Sequence, residues 1–248
     1  MYFCIMLVKT KAIVIHSFKY GESKLIIELL TAGYGRQSCI ATPGKSPGSK
    51  LKKQYFQPLT ILEAIIDIRR RVRLQRLKEA RVAVPFTSIP FNPFKLSISL
   101  FAAEFLRYAT RHEQTDGLTY AYVENSIMWL DGCGGHFANF HLVFMMRLTR
   151  FLGFYPNIED YTPRSRFDLR ASCFRTDIPL HNDCLSPGES EKMGLLLRMN
   201  YPTMHLYKMT RTERNRMTDV ILRYYQIHIP DFPELKSLPV LKELFDGD

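Results

Sequence analysis

The chain has 248 residues, of which 46% are hydrophobic and 12% aromatic, the composition of a folded domain rather than of a disordered or fibrous chain. No apolar run approaches the roughly twenty residues that a bilayer span requires. The formal charge of +10 is confined to the first third: residues 1–81 hold 16 Lys and Arg against 5 Asp and Glu, whereas residues 82–248 hold 18 against 19. Charge segregated in this way indicates a module whose partner is a polyanion, attached to a body with other partners.

The opening MYFCIMLV is apolar but short, has no leading basic stretch, and runs into Lys9 and Lys11 without a small-residue cleavage site, so it does not read as a signal peptide. The alternating pattern begins near Leu7, which makes Met6 an alternative start and residues 1–5 an added tail. The five cysteines, at 4, 39, 133, 173 and 184, are odd in number and widely spaced, which argues against a disulfide framework and for the cytoplasm.

Strands come first. KAIVIHSF (11–18) is rich in β-branched residues, SKLIIELLT (23–31) follows a Tyr20-Gly21 turn, and GRQSCIAT (35–42) follows the hairpin connection Gly33-Tyr34-Gly35. After the loop TPGKSPGSKLKK (42–53), YFQPLTILEAIIDI (55–68) is a fourth extended run whose Pro58 demotes its start to an edge or bulge. VRLQRLKEARVAV (72–84) reads as a closing strand or as a helix, and its apolar spacing at 74, 77, 80 and 84 favours the helix. These segments predict a small barrel rolled around Val14, Ile26, Leu29, Ile40, Leu59 and Ile65, with an open sheet as the alternative.

From Pro85 the period changes. Asn92-Pro93 is a cap and first-turn signal, and FKLSISLFAAEFLRYATR (94–111) behind it is apolar on most of its circumference, as a central bundle helix would be. LTYAYVENSIMWLD (118–131) places Tyr120, Val123, Ile127 and Leu130 on one face, and FANFHLVFMMRLTRFLGF (137–154) does the same with Phe137, Phe140, Phe144, Leu148 and Phe151, with Gly153 at its end. Thr210 with Glu213 forms a capping box opening a helix to about His228, and Ser237 starts a last short one. Residues 155–186 carry three prolines and no helical stripe, and read as a small irregular insert. The expected class is therefore α+β: a basic barrel over 1–82, a helical bundle over 83–154 and 187–248, and the insert interrupting it.

The basic loop has four lysines and no acid. With little apolar surface to bury and mutually repelling ammonium groups, it reads as mobile and completed by an anion, against the plainer reading of a solvated surface loop. The run 69-RRRVRLQR-76 and Tyr20, Tyr34 and Tyr55 beside these charges support a single-strand binder, in which cations follow phosphates and rings stack on bases. The candidate DNA contacts are Lys9, Lys19, Lys24, Arg36, Lys45, Lys50, Lys52, Lys53, Arg69, Arg70, Arg71 and Arg73. No base-reading helix or zinc-finger spacing is present, so binding is expected to be general.

AIVIHSFKYGESKLIIELLT followed by GRQSCIATPGKSPGSKLKKQYFQPLTILE resembles the N-terminal OB-fold of the RecO family of bacterial recombination mediators, with its progression Y-G-E, L-L-T, G, G and Q-P. The likeness continues through LQRLKEAR, FAAEFLRYATRHEQ, FHLVFMMRLTRFLGFYPN and LKSLPVLKEL and covers residues 7–245; the order of these motifs is specific, each alone is weak. The resemblance implies an OB-fold, a helical bundle and a small zinc-ribbon-like element. It also implies a nucleoid-associated protein that binds single- and double-stranded DNA, anneals strands, docks on the C-terminal tail of the single-strand-binding protein SSB and, with RecR, loads RecA. Many members carry two C-x-x-C pairs in the insert, but here the stretch is C173-F-R-T176 and H181-N-D-C184. Cys173, His181 and Cys184 remain as ligands, Asp177 or Asp183 being a stand-in for the fourth, and zinc is expected to be absent or weakly held. An acidic tail ending in an apolar residue with a free carboxylate needs an apolar pocket flanked by a guanidinium. Arg147 and Arg150 are the first candidates for it, Arg107 and Arg111 the second.

No catalytic constellation stands out. C133-G-G-H136 follows a helix stop without a third orienting group, no phosphate-binding glycine loop or H-E-x-x-H is present, and Glu63, Asp67 and Glu79 are expected to pair with neighbouring arginines. A non-enzymatic mediator is expected; an RNA-binding OB module and a metal-dependent nuclease are the alternatives.

Overall fold

One long strand, β1 (Ile5–Tyr20), serves two neighbours in the computed structural model, which describes residues 5–44, 46, 48–69, 72–111 and 117–244. Its first half pairs antiparallel with β4 (Ile61–Arg69), from Ile5 opposite Arg69 to Ile13 opposite Ile61. Its second half pairs with β2 (Lys24–Thr31), and a bulge between Val14 and His16 bends the strand where it changes partner. β2 continues to β3 (Gly35–Ala41), β3 runs parallel to the start of β5 (Leu74–Val84), and β5 returns to β4, closing a barrel in the order β1-β2-β3-β5-β4. The open-sheet alternative does not form.

The segment whose spacing favoured a helix is β5, and its register explains the spacing. Ile65 lies opposite Glu79 while Ile66 lies opposite Leu77, so Lys78 is an extra residue and buried Leu77 and Ala80 stand three apart instead of two. A bulge thus imitates a helical step. Val14 and Leu29 lie in the core with Val8, Leu25, Ile27, Phe56, Leu62 and Ile66, and Leu59 is buried. Ile26, Ile40 and Ile65 were expected inside but are only half-buried, because strand alternation turns them to the outer side.

Two helices complete the first of two compact units, which extends to Asp131. The Asn92 side chain accepts from the Phe94 and Lys95 backbone at 3.0 and 3.1 Å and opens α1 (Pro93–Ala109). α2 (Gly117–Gly132) buries the predicted Tyr120, Val123, Ile127 and Leu130.

The second unit begins at Gly132. Its central helix α3 (Phe140–Leu148) is shorter than the 137–154 expected: the Arg150 and Phe151 N–H groups bond carbonyls three residues back, and Gly153, at φ 82°, ends the segment in the left-handed region. α3 is buried nearly all round, Arg147 alone being half-exposed within it. Buried Asn139 donates to Met204 and Tyr207 carbonyls and accepts from Arg214, fixing the start of the helix. β6 (Arg166–Asp168) and β7 (Cys173–Arg175) form a small hairpin in the insert, whose Phe167 and Phe174 pack edge to face at 5.0 Å. α4 (Pro187–Arg198), α5 (Arg211–His228) and α6 (Leu238–Glu243) follow, with capping boxes Ser186/Glu189 on α4 and Thr210/Glu213 on α5. Among the described residues no helix is long and apolar enough to cross a membrane.

Candidate nucleic-acid interface

The bulge at the middle of β1 sets which side chains face outward beyond it. His16, Phe18 and Tyr20 then share one face at alternate positions, Phe18 and Tyr20 being 40% and 54% exposed, with the His16 and Phe18 rings 5.7 Å apart. Opposite them on β2 stand Glu28, Ile26 and Lys24, beyond those Ser38 and Ile40 on β3, and beyond these Leu74 and Arg76 on β5. Directly paired residues lie on the same face of a sheet. Phe18, Ile26, Ile40 and exposed Arg76 therefore form one row across four strands, with Tyr20 and exposed Lys24 next to it. Lys19 is also exposed beside the β1–β2 turn. Such a surface offers rings for bases and cations for phosphates.

At the His16 end of this surface Arg36 is not a solvated contact. Its guanidinium bonds one oxygen of the nearly buried Glu28 and donates to the Arg107 carbonyl at 2.6 Å; Arg107 on α1 holds the other Glu28 oxygen through Nε and Nη2 at 3.2 and 3.0 Å. Burial works to raise the Glu28 pKa, but the two guanidiniums prevail and hold it below the usual carboxylate range. His16 is shifted the other way from a charged state: burial first, then Arg107, lower its pKa. Glu28, Arg36, Arg107, Tyr108 and Arg111 line a pocket of about 350 Å³.

The basic loop departs from the reading of an unanchored segment. Leu51 is buried in the barrel core, the Gly44 N–H donates to the Leu51 carbonyl at 3.0 Å, and the Ala80 N–H donates to the Lys50 carbonyl at 3.1 Å. Lys50 pairs with Glu79, Lys52 lies 5.9 Å over the Tyr55 ring, and Lys53 is exposed. Lys9 and Arg81 share Glu63, at 3.6 and 2.6 Å. These groups surround a separate groove of about 430 Å³ that includes Lys9, Lys50, Tyr55, Glu63, Glu79 and Arg81. Arg69 is paired with Asp67, Arg73 is exposed, and Lys45, Arg70 and Arg71 lie outside the described residues. The candidates thus divide between two surfaces. Reading the sequence passed over His16, Phe18 and Arg81, although the two-residue spacing of 16, 18 and 20 was an available signal; Arg76 was counted in the run 69–76 but not singled out, because its place in the row follows only from the β3–β5 register.

The tail-docking candidates also separate. Arg107 and Arg111 belong to the first unit and the pocket above. In the second unit Arg147 donates to the Met199 carbonyl at 3.1 and 3.0 Å, while exposed Arg150 stacks over Tyr155 at 4.2 Å and bonds its hydroxyl, next to partly exposed Phe151.

In the insert the carboxylates are bound to cations, and they include Asp177 and Asp183, the expected stand-ins for a fourth metal ligand. Asp168 accepts from Arg175 at 2.8 Å and lies 3.3 Å from His181; Asp183 accepts from Arg170 at 2.7 Å and from Arg223 at 2.9 and 2.8 Å; Asp177 pairs with Arg175. Among the described residues no three of His, Cys, Asp and Glu converge as a metal requires, so Cys173, His181 and Cys184 do not fit a zinc ion.

Residues 6–86 match the family described as "Recombination protein O N terminal", and residues 90–239 match "Recombination protein O C terminal". Proteins named DNA repair protein RecO are similar over nearly the whole chain: 49% identity over 242 residues in Bacteroides fragilis and 48% over 240 in Phocaeicola vulgatus, each covering 97% of this chain and 100% of the relative. One from Porphyromonas gingivalis is 33% identical at the same coverage.

Proposed function

The chain belongs to the RecO family of DNA repair proteins, and on that premise we propose that it binds single- and double-stranded DNA without sequence specificity through the outer β1-β2-β3-β5 face of its barrel. The observation that carries this reading is the row His16, Phe18 and Tyr20 set beside Lys24 and Arg76. Every base has a π-face, so rings with flanking cations bind strands of any sequence. A protein that covers two strands' phosphates while leaving base edges unread can also anneal them. In the same proposal the protein docks on the acidic SSB tail through Arg150 and Phe151, with Arg147 held inward by the Met199 carbonyl, and with RecR helps load RecA onto SSB-coated strands. It acts as a mediator without a chemical step of its own.

The test is fluorescence anisotropy of a labelled oligothymidylate over a range of salt, with wild type and the pair Phe18→Ala, Tyr20→Ala. Loss of both rings is expected to weaken binding by about 2 kcal/mol or more while leaving the salt slope unchanged, since stacking releases no counterions. Equal affinity of the two proteins would remove this face from the site. A matched RNA strand as competitor separates the RNA-binding alternative, which needs contacts to the 2′-hydroxyl.

A further inference from the structure

Glu28 organises more positive charge than it neutralises. It is nearly buried, each of its oxygens is held by a different arginine, and Arg36 is further fixed by the Arg107 carbonyl, so two guanidiniums are locked in place before any ligand arrives. Arg111 lies two residues past the end of α1, is exposed, and lines the same pocket. Among the described residues three arginines therefore line the pocket with one carboxylate, and Tyr108 completes the wall. Glu104 is felt at His16 but does not line the pocket. An ion pair built for stability alone needs one arginine per carboxylate, and desolvating a surplus of cations is costly unless an anion joins them. The arginine fork suits phosphate, which it binds through two parallel N–H donors. Glu28 and His16 are direct cross-strand partners, so the pocket opens at one end of the aromatic row, which runs roughly 13 Å to Tyr20.

We propose that this pocket seats one phosphate of a bound single strand, anchoring it at the His16 end so that its bases run over Phe18 toward Tyr20. The proposal deepens the DNA-binding reading and rests on it. A peptide carboxylate is the less suited occupant, because among the described residues no aliphatic one lines the pocket to receive an apolar terminus.

The probe is a short oligothymidylate in which each phosphate in turn is replaced by a neutral methylphosphonate, titrated against wild type, Arg111→Ala and Arg107→Lys. Wild type is expected to lose about tenfold in affinity at one position and much less at the others. Both variants are expected to bind the unmodified strand about tenfold more weakly, to flatten that positional profile, and, for Arg111→Ala, to lower the salt slope by about 0.7. Arg111 is exposed, so its thermal midpoint should stay at the wild-type value, separating loss of the anchor from loss of fold. If wild type binds with a flat profile and Arg111→Ala binds equally well, the anchor is refuted while the DNA-binding face stands. No binding by wild type at low salt sinks that reading and the anchor with it. If Arg111→Ala instead abolishes binding of an acidic peptide with a free C-terminus and leaves DNA affinity intact, the pocket belongs to a peptide and the proposal is overturned.

Discussion

Asp131 and His141 each tie the fold to pH, through opposite charge states. Asp131 accepts the Thr87, Ser88 and Ile89 backbone N–H groups at 2.8, 2.9 and 2.8 Å and the Thr87 hydroxyl at 2.9 Å, so it caps the turn that leads into α1. Burial works to raise its pKa, but these bonds hold it down to about 2. His141 is fully buried, bonded to the Thr218 hydroxyl at 3.1 Å, and burial followed by the nearby Arg214 charge pushes it down to about 3. Both folded values lie below the unfolded ones, so the unfolded chain binds more protons and stability falls as pH falls. His141 acts first, between its ordinary 6.5 and about 3, while Asp131 acts from its ordinary 3.8 toward about 2. Urea midpoints should therefore drop by the equivalent of about 2 kcal/mol between pH 7 and pH 5. His141→Gln, which cannot protonate, should flatten that part of the curve. A variant with the wild-type slope would locate the sensitivity elsewhere.

Among the elements, the β3–β4 connection is where charge and anchoring meet. Its lysines are unequal: Lys50 is paired with Glu79 and Lys52 lies over Tyr55, whereas Lys53 is exposed. The triple change Lys50→Ala, Lys52→Ala, Lys53→Ala should lower the single-strand salt slope by about 1, less than the roughly 2 that three free phosphate contacts would give. Leu51 and Phe56 remain to hold the connection, so the thermal midpoint should move little. An unchanged slope would make the loop and its groove bystanders to DNA. What could be read from the sequence here was local chemistry. The Thr210/Glu213 box, the Asn92-Pro93 start and the barrel strands were legible because their signals lie within a few residues. The Ser186/Glu189 box that opens α4 carried the same signal and was passed over beside the irregular insert. β5 resembled a helix because its bulge shifts the period, and the surplus of arginine around Glu28 was hidden because Glu28, Arg36 and Arg107 meet only after folding. Arg107 read by its helix alone is a rim residue; the pocket it lines is a tertiary fact.

At the scale of the whole molecule, the sequence changes period from Pro85 and sets the expected boundary between residues 82 and 83, yet packing carries the first compact unit on to Asp131. The difference has a physical basis within that unit. Arg107 on α1 holds Glu28 on the barrel, Glu124 on α2 receives Lys11 at 3.0 Å, and Asp131 at the end of α2 caps the turn after β5. A fragment ending at residue 84 keeps every strand of the barrel but leaves Glu28 with Arg36 alone and uncovers the barrel surface against which α1 packs. A fragment ending at residue 131 keeps all three ties. The longer fragment should unfold in one transition with the higher urea midpoint, the shorter one being weaker by at least about 3 kcal/mol, since truncating one side of a nearly buried charge cluster is that costly. DNA affinity should follow the same division: the longer fragment retains the Arg107 and Arg111 pocket and should keep the positional methylphosphonate profile, while the shorter should bind with a flat one. Equal midpoints for the two fragments would mean that α1 and α2 rest on the barrel without stabilising it, and the domain boundary would then lie where the period changes.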